Sequence, residues 1–270
     1  MTKELIGIVG LGTIGLKLAE YLAEKGFDVV AFNYRNIRDK NSRFIESIEK
    51  KIKYEKLGLD LHNVLQKRVK FTENLMDLNV CDLVIDTLLE NYDIKKEYYT
   101  KLIGIMKTDA ILASSTSSLS LTKLSEYFDV CRFVGLHFFN PPTKMRLVEL
   151  SFLPNASETV KRKIYMFLAR LDDKKVIEMP IIQGYIVNRL LFIYLNYAIE
   201  FYGESGIDAQ SIDEAMKAGI NVPMGPLELS DYIGNDITYS ILNELYISLR
   251  DQRYKPTALL QKMVADGKLG

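Results

Sequence analysis

The run Gly10-Leu11-Gly12-Thr13-Ile14-Gly15 constrains this chain more than any other feature, because of what flanks it. Leu5 to Val9 reads as a buried strand, and Ile14 to Lys25 carries apolar residues at helical spacing before a stop at Gly26. In such a strand-turn-helix, Gly10 permits the tight turn, Gly12 lets backbone approach a pyrophosphate, and Gly15 lets the helix lie close to the strand. Thr13 and Ile14 open the helix, whose first N–H groups face the phosphates. An isolated pattern of this kind is more often a plain turn; a strand before it and a helix after it reverse that balance.

The rest of the chain agrees with a dinucleotide-binding architecture. Further β-rich runs occur at Asp28 to Asn33, Val69 to Thr72, Leu83 to Thr87, Ile111 to Ser114 and Arg132 to Leu136, separated by longer helical patterns such as Ser42 to Lys56. That alternation predicts βαβ units, hence an α/β fold with a Rossmann-type doubly wound, mostly parallel sheet. After about Met179 the strand signals stop. The remainder reads as helices over Ile186 to Tyr202, Ser211 to Ala218, Asp236 to Arg250 and Thr257 to Val264. The expectation is a dinucleotide-binding domain over residues 1–182 and an all-helical C-terminal domain over residues 183–270, joined at the turn residues Gln183 and Gly184.

Charge and composition exclude several function classes. The 270 residues include 35 Lys and Arg against 35 Asp and Glu, so no overall positive field would hold the chain on nucleic acid or an anionic membrane. Even the greasiest stretch, Ile186 to Ile199, is interrupted by Asn188, Arg189 and Asn196, which argues against a bilayer span. The N-terminus lacks the length and flanks of a secretory signal, and a cytoplasmic protein is expected. The two cysteines, Cys81 and Cys131, read as reduced core residues without chemistry.

The second strand run ends at Asn33, where an NAD-selective site usually carries a ribose-binding acid. Tyr34, Arg35, Arg38 and Lys40 follow, a cationic edge able to accept a ribose 2′-phosphate. Either NAD or NADP fits, with a slight lean to NADP. The competing reading makes the cations ordinary loop charges and lets Asn33 bond the ribose hydroxyl of NAD.

The stretch Arg132-Phe133-Val134-Gly135-Leu136-His137-Phe138-Phe139-Asn140-Pro141-Pro142, followed by Leu147-Val148-Glu149-Leu150, is more specific. Ala113-Ser114-Ser115-Thr116-Ser117-Ser118-Leu119, Ile186-Val187-Asn188-Arg189-Leu190-Leu191, Pro223-Met224-Gly225-Pro226-Leu227-Glu228-Leu229 and Ala265-Asp266-Gly267-Lys268-Leu269-Gly270 accompany it. In this order, across nearly the whole chain, these motifs resemble the 3-hydroxyacyl-CoA dehydrogenase family, which includes the 3-hydroxybutyryl-CoA dehydrogenases.

The resemblance implies that His137 is the catalytic base, Glu149 its orienting partner, and Ser117 and Asn188 polar contacts near the reacting oxygen. Physical chemistry suits those roles: an imidazole titrates near neutrality and can take a hydroxyl proton, while a carboxylate on its far nitrogen fixes the tautomer and stabilises the imidazolium. Read alone, His137 is a core histidine on a carbonyl, Ser117 a cap in a serine-rich run, and Asn188 a helix amide bonding its own backbone. Glu90 and Lys95 match a family segment along the cofactor, although surface helix charges explain them equally well. His62 lies in a polar stretch and is expected on the surface.

The implied substrate is an acyl thioester, with Lys50, Lys51, Lys53 and Lys56 as candidate partners for coenzyme A phosphates. A hydroxyacyl group on an acyl carrier protein is the alternative, since an acidic carrier would also favour this basic helix. A non-catalytic crystallin-like homologue is a third reading, opposed by the intact Ser117, His137, Glu149 and Asn188 set. The family's helical domain dimerises, which implies a homodimer; Tyr194, Tyr197, Phe201 and Met216 then serve packing or the dimer surface. Departures from the family pattern are Gln183 in place of a proline, Leu16 and Lys17 in place of small residues, and a stop at Gly270 where an aromatic-containing tail usually follows.

Overall fold

A computed structural model describes residues 4–55 and 59–270, with the side chains of residues 55–62 outside the description. His62 and Lys56 therefore lie outside the described side chains. The chain divides into two compact units, Met1–Ile181 and Ile182–Gly270.

In the first unit, β1 (Leu5–Val9), α1 (Thr13–Glu24), β2 (Asp28–Phe32), α2 (Ile37–Glu55), α3 (Leu59–Arg68) and β3 (Val69–Thr72) form one half of the sheet. The other half contains β4 (Leu83–Asp86), α4 (Tyr92–Ile103), β5 (Ile111–Ser114), α5 (Leu121–Ser125) and β6 (Phe133–Phe138). Then come β7 (Leu147–Phe152), α6 (Glu158–Ala169) and β8 (Lys175–Glu178). The strands make one eight-stranded sheet in the order β3-β2-β1-β4-β5-β6-β7-β8. Every pairing is parallel except that of β6 with β7. The strand order reverses between β1 and β4, which opens a crevice at their carboxyl ends where such sheets bind ligands.

Side-chain alternation explains what the two faces hold. Ile6 and Ile8 of β1, Val29 and Ala31 of β2, and Leu136 and Phe138 of β6 all join one apolar cluster with Leu18 and Leu22 of α1, Phe44 and Ile48 of α2, and Ile164 and Phe167 of α6. Residues of opposite parity point to the other face, where the Tyr99 ring of α4 lies 5.6 Å from that of Phe133. His137 has that opposite parity, so apolar neighbours in sequence do not place it in the main core.

The second unit is helical: α7 (Tyr185–Ser205), α8 (Ala209–Ile220), α9 (Pro226–Ile233), α10 (Asn235–Leu249) and α11 (Ala258–Ala265). Its core joins Phe192, Leu195 and Ile199 of α7 to Leu242 and Leu245 of α10 and Leu260 of α11. Asp213 of α8 caps α9 from outside, accepting the backbone N–H of Leu227 at 2.8 Å and of Glu228 at 2.9 Å. Gly225 permits that contact, since a Cβ there would lie 2.3 Å from Asp213.

The strands β7 and β8 and the helices α3, α4, α5, α6 and α9 add to the elements expected from sequence. Strand β8 was hidden because Lys175 and Glu178 leave it half-exposed at the sheet edge. In α6 the signal was present, with Ser157 capping the Val160 N–H and Val160, Ile164, Phe167 and Leu168 buried on one face. The cysteine expectation needs correction: Cys81 is buried, but Cys131 is exposed. Burial pushes the Cys81 thiol up to about 12. Among the described residues no helix is long and apolar enough to cross a membrane.

Candidate active site

The glycine turn has the geometry that its spacing predicts. Gly10 has a φ of 96°, and a Cβ on it would meet Leu88 N and Thr87 O at 3.0 Å. A Cβ on Gly15 would lie 2.0 Å from Gly10 O and 2.5 Å from Thr87 Oγ1, so only glycine permits the helix to approach the strand this closely. Nothing lies within 4 Å of a Cβ built on Gly12. The N-terminus of α1 has no side-chain cap, which leaves its first N–H groups for an anion. A backbone cradle open at Gly12 and backed by an uncapped helix fits a dinucleotide pyrophosphate, with Thr13 and Ile14 in its first turn. Thr87 was not singled out from sequence; its hydroxyl donates to Gly10 O at 2.6 Å and braces the turn.

A groove of about 520 Å³ runs from this turn past Asn33, Tyr34, Arg35, Lys40 and Tyr98. Asn33 does not face it as a simple ribose partner. Its Oδ1 accepts the Leu11 N–H at 2.9 Å and its Nδ2 donates to Arg35 O at 2.6 Å, so the amide is a strut between two turns. Tyr34 and Arg35 are exposed, with the guanidinium 4.8 Å from the Tyr34 ring centroid.

Lys95 is not the surface helix charge of the alternative reading. Its side chain is 1% exposed, and the ammonium donates to Asp86 Oδ2 at 2.6 Å and to Leu88 O at 3.4 Å. Tyr99 OH and Ser114 Oγ donate to the same Asp86 oxygen at 2.5 Å and 2.9 Å. Burial and the neighbouring Asp86 carboxylate hold the Tyr99 phenol well above its usual range. Lys95 thus supports from beneath the loop that lines the groove, because a lysine this deeply buried must be paired.

The β6–β7 ladder sets His137 directly opposite Glu149. Nδ1 of His137 lies 2.8 Å from Glu149 Oε2, with the residues 3% and 0% exposed. A carboxylate on Glu149 can only accept, which favours the tautomer with its hydrogen on Nδ1 and the lone pair on Nε2. Ser117 Oγ sits 3.1 Å from that Nε2. The loop holding Ser117 is itself strapped by the N-terminal end of α4: Glu90 accepts from Thr116 Oγ1 at 2.7 Å and from the Ser117 N–H, and Tyr92 OH accepts the Ser120 N–H at 2.9 Å. Phe139 packs on the imidazole with ring centroids 4.5 Å apart. Thus one unit brings together His137, Glu149, Ser117 and Glu90, while Asn188 is a buried residue of α7 in the other.

The lysine cluster divides. Lys51 Nζ donates to Glu24 Oε1 at 2.6 Å, which straps α2 to α1, whereas Lys50 and Lys53 are exposed. Lys50 lines a groove of about 300 Å³ with Lys17, Ser47, Tyr54, Thr143 and Lys144. No group of residues able to hold a metal ion occurs among the described residues.

Residues 5–181 match the 3-hydroxyacyl-CoA dehydrogenase NAD binding domain, and residues 184–270 match the C-terminal domain of the same enzymes. The chain is 37% identical to a 3-hydroxybutyryl-CoA dehydrogenase of Bradyrhizobium diazoefficiens, covering 98% of this chain and 91% of the relative. It is 35% identical to a probable 3-hydroxybutyryl-CoA dehydrogenase of Deinococcus radiodurans, covering 98% and 95% respectively. Among solved structures, FadB2 of M. tuberculosis superposes with a TM-score of 0.94 at 32% identity, covering 98% of this chain and 94% of that one. The (S)-3-hydroxybutyryl-CoA dehydrogenase PaaH1 of Ralstonia eutropha gives 0.92 at 36% identity, covering 100% and 96%. The chain belongs to the 3-hydroxyacyl-CoA dehydrogenase family.

Proposed function

We infer that the chain moves a hydride between a nicotinamide dinucleotide and C3 of a short 3-hydroxyacyl thioester, with His137 handling the hydroxyl proton. The observation that carries this reading is the His137 imidazole held between Glu149 at 2.8 Å and Ser117 at 3.1 Å. In the oxidising direction, Nε2 takes the proton of the 3-hydroxyl, and Glu149 stabilises the imidazolium that forms. Ser117 Oγ, beside the same nitrogen, orients the substrate oxygen where charge develops, and Asn188 is assigned the same work from α7. In the reducing direction the imidazolium returns the proton to the alkoxide. The nicotinamide supplies the hydride acceptor or donor when bound.

The groove beside Asn33 supports either dinucleotide, and the Arg35 and Lys40 cations on its rim favour the 2′-phosphate of NADP. Lys50 and Lys144 around the second groove are the partners we assign to coenzyme A phosphates, since Lys17 there is already paired with Glu20 at 3.1 Å. On α7, Ile186, Leu190, Tyr197 and Phe201 are exposed at spacings of four, seven and four residues, which makes one apolar stripe suited to a second copy of the chain. The test of the central reading is oxidation of NADH or NADPH by acetoacetyl-CoA, followed by absorbance. His137→Ala should lower turnover roughly 10²-fold to 10⁴-fold with cofactor affinity little changed, and near-normal turnover refutes the assignment.

A further inference from the structure

Lys174, in the turn between α6 and β8, exposes its backbone but almost nothing of its side chain, which is 1% exposed. Its Nζ donates to the carbonyl oxygens of Pro142 at 2.6 Å and Met145 at 2.8 Å, and to Asp173 Oδ2 at 3.0 Å. The ammonium also lies 4.0 Å from the centroid of the Tyr21 ring. An ammonium has three hydrogens, and here each has an acceptor. Burying a charge is costly and is offset only by such full pairing.

What the pairing joins is more informative than its energy. Both carbonyls belong to the loop between β6 and β7, the segment that leaves the His137 strand and returns as the Glu149 strand. The loop begins at Phe139, whose ring covers the His137 imidazole. On its other side, Asp173 accepts from Tyr21 OH at 2.6 Å and pairs with Lys25 Nζ at 2.7 Å. Tyr21 is a buried residue of α1, the helix whose first turn is the glycine cradle, and Lys25 caps the same helix. One buried ammonium therefore fastens the loop of the His137 hairpin to the helix that carries the cofactor turn.

We propose that Lys174 is a positioning residue for hydride transfer, holding the Asn140–Arg146 loop on α1 so that Phe139 and His137 keep a fixed place relative to the bound nicotinamide. This rests on the reading of His137 as the base. Lys174 itself touches neither substrate nor cofactor and acts through the loop.

Lys174→Met keeps the length of the side chain and removes all three donors. The expected result is a kcat lower by about tenfold to a hundredfold, the range that a displacement of about 1 Å near reacting atoms produces. Dinucleotide Kd from fluorescence titration should stay within about threefold. The primary isotope effect with cofactor deuterated at the transferred position should rise, because hydride transfer becomes limiting. Tyr21→Phe, which deletes only the bond to Asp173, should move kcat and isotope effect the same way by less, and it serves if Lys174→Met does not fold. A folded variant with kcat and isotope effect equal to the parent overturns the proposal, as does a loss of dinucleotide affinity that accounts for the whole loss of kcat. The double variant His137→Ala/Lys174→Met separates this from the underlying reading. If Lys174 acts through His137, the pair falls no further than His137→Ala alone; additive losses overturn the proposal, while unimpaired His137→Ala turnover overturns the base assignment instead.

Discussion

Replacing Asn33 by Asp tests the cofactor argument at one atom. Asn33 Nδ2 donates to Arg35 O at 2.6 Å, while Oδ1 accepts the Leu11 N–H at 2.9 Å. Aspartate keeps the second bond and replaces the first with an oxygen facing a carbonyl oxygen. Losing that strut should weaken both dinucleotides alike, by about 1–2 kcal/mol, the usual scale for an unmatched polar contact. The new charge acts differently on the two cofactors. A carboxylate about 6 Å from a 2′-phosphate of about two charges repels it by about 1.4 kcal/mol in a water-like dielectric and by several-fold more in a protein-like one. Asn33 is buried but Tyr34 and Arg35 beside it are exposed, which places the repulsion between the two limits. The ratio of kcat/KM for NADPH over NADH should therefore fall about tenfold to a hundredfold, and the common loss cancels from that ratio. Steady-state kinetics with both cofactors and one acyl thioester measure it. A common loss with an unchanged ratio refutes the assignment of Arg35 and Lys40 to a 2′-phosphate.

The glycine turn separates folding from binding. Gly12→Ala should leave Tm unchanged, because its Cβ meets nothing within 4 Å, yet abolish measurable dinucleotide binding by calorimetry. Gly15→Ala forces a Cβ to within 2.0 Å of Gly10 O and should lower unfolding free energy by about 1–3 kcal/mol in urea melts. Leu190→Glu, at a side chain 68% exposed in the apolar stripe of α7, should convert a dimer to monomers by light scattering, whereas an unchanged mass would move the interface elsewhere. Burial raises the Asp173 carboxyl, but hydrogen bonds from Lys25, Tyr21 and Lys174 outweigh it and hold the group well below its ordinary range. A depressed folded-state value adds stability that is complete above the unfolded value of about 4 and disappears as pH falls through the folded one. Asp173→Asn should therefore flatten the fall in urea midpoint below about pH 4; an equally steep fall assigns it to other carboxylates.

The sheet was legible because strands covered on both faces become continuous apolar runs, as Leu5–Val9 and Leu83–Asp86 are. The His137 and Glu149 pair was legible only through the family resemblance of the motifs that carry it: the ladder that sets the two residues opposite each other needs β7, a strand that the sequence pattern does not mark. Polar contacts made to backbone distant in sequence were not legible. Asn33 reads as a ribose ligand in sequence, and only the fold brings it to the Leu11 N–H, 22 residues away. Lys51 reads as one of a row of surface cations until α1 presents Glu24 to it.

Lys174 is the limiting case. Its two closest acceptors are carbonyl oxygens of Pro142 and Met145, about thirty residues away, and any residue type at those positions would offer the same atom. Side-chain identity reveals a backbone partner when the two are close in sequence, as at a helix cap, but not when they lie about thirty residues apart. A sequence motif can therefore show which groups perform the proton transfer, while the devices that fix their distance to the cofactor leave almost no residue pattern. The Lys174 variants consequently probe a part of the mechanism that motif comparison does not reach: how far transfer across the His137 site depends on the fastening of one loop to α1.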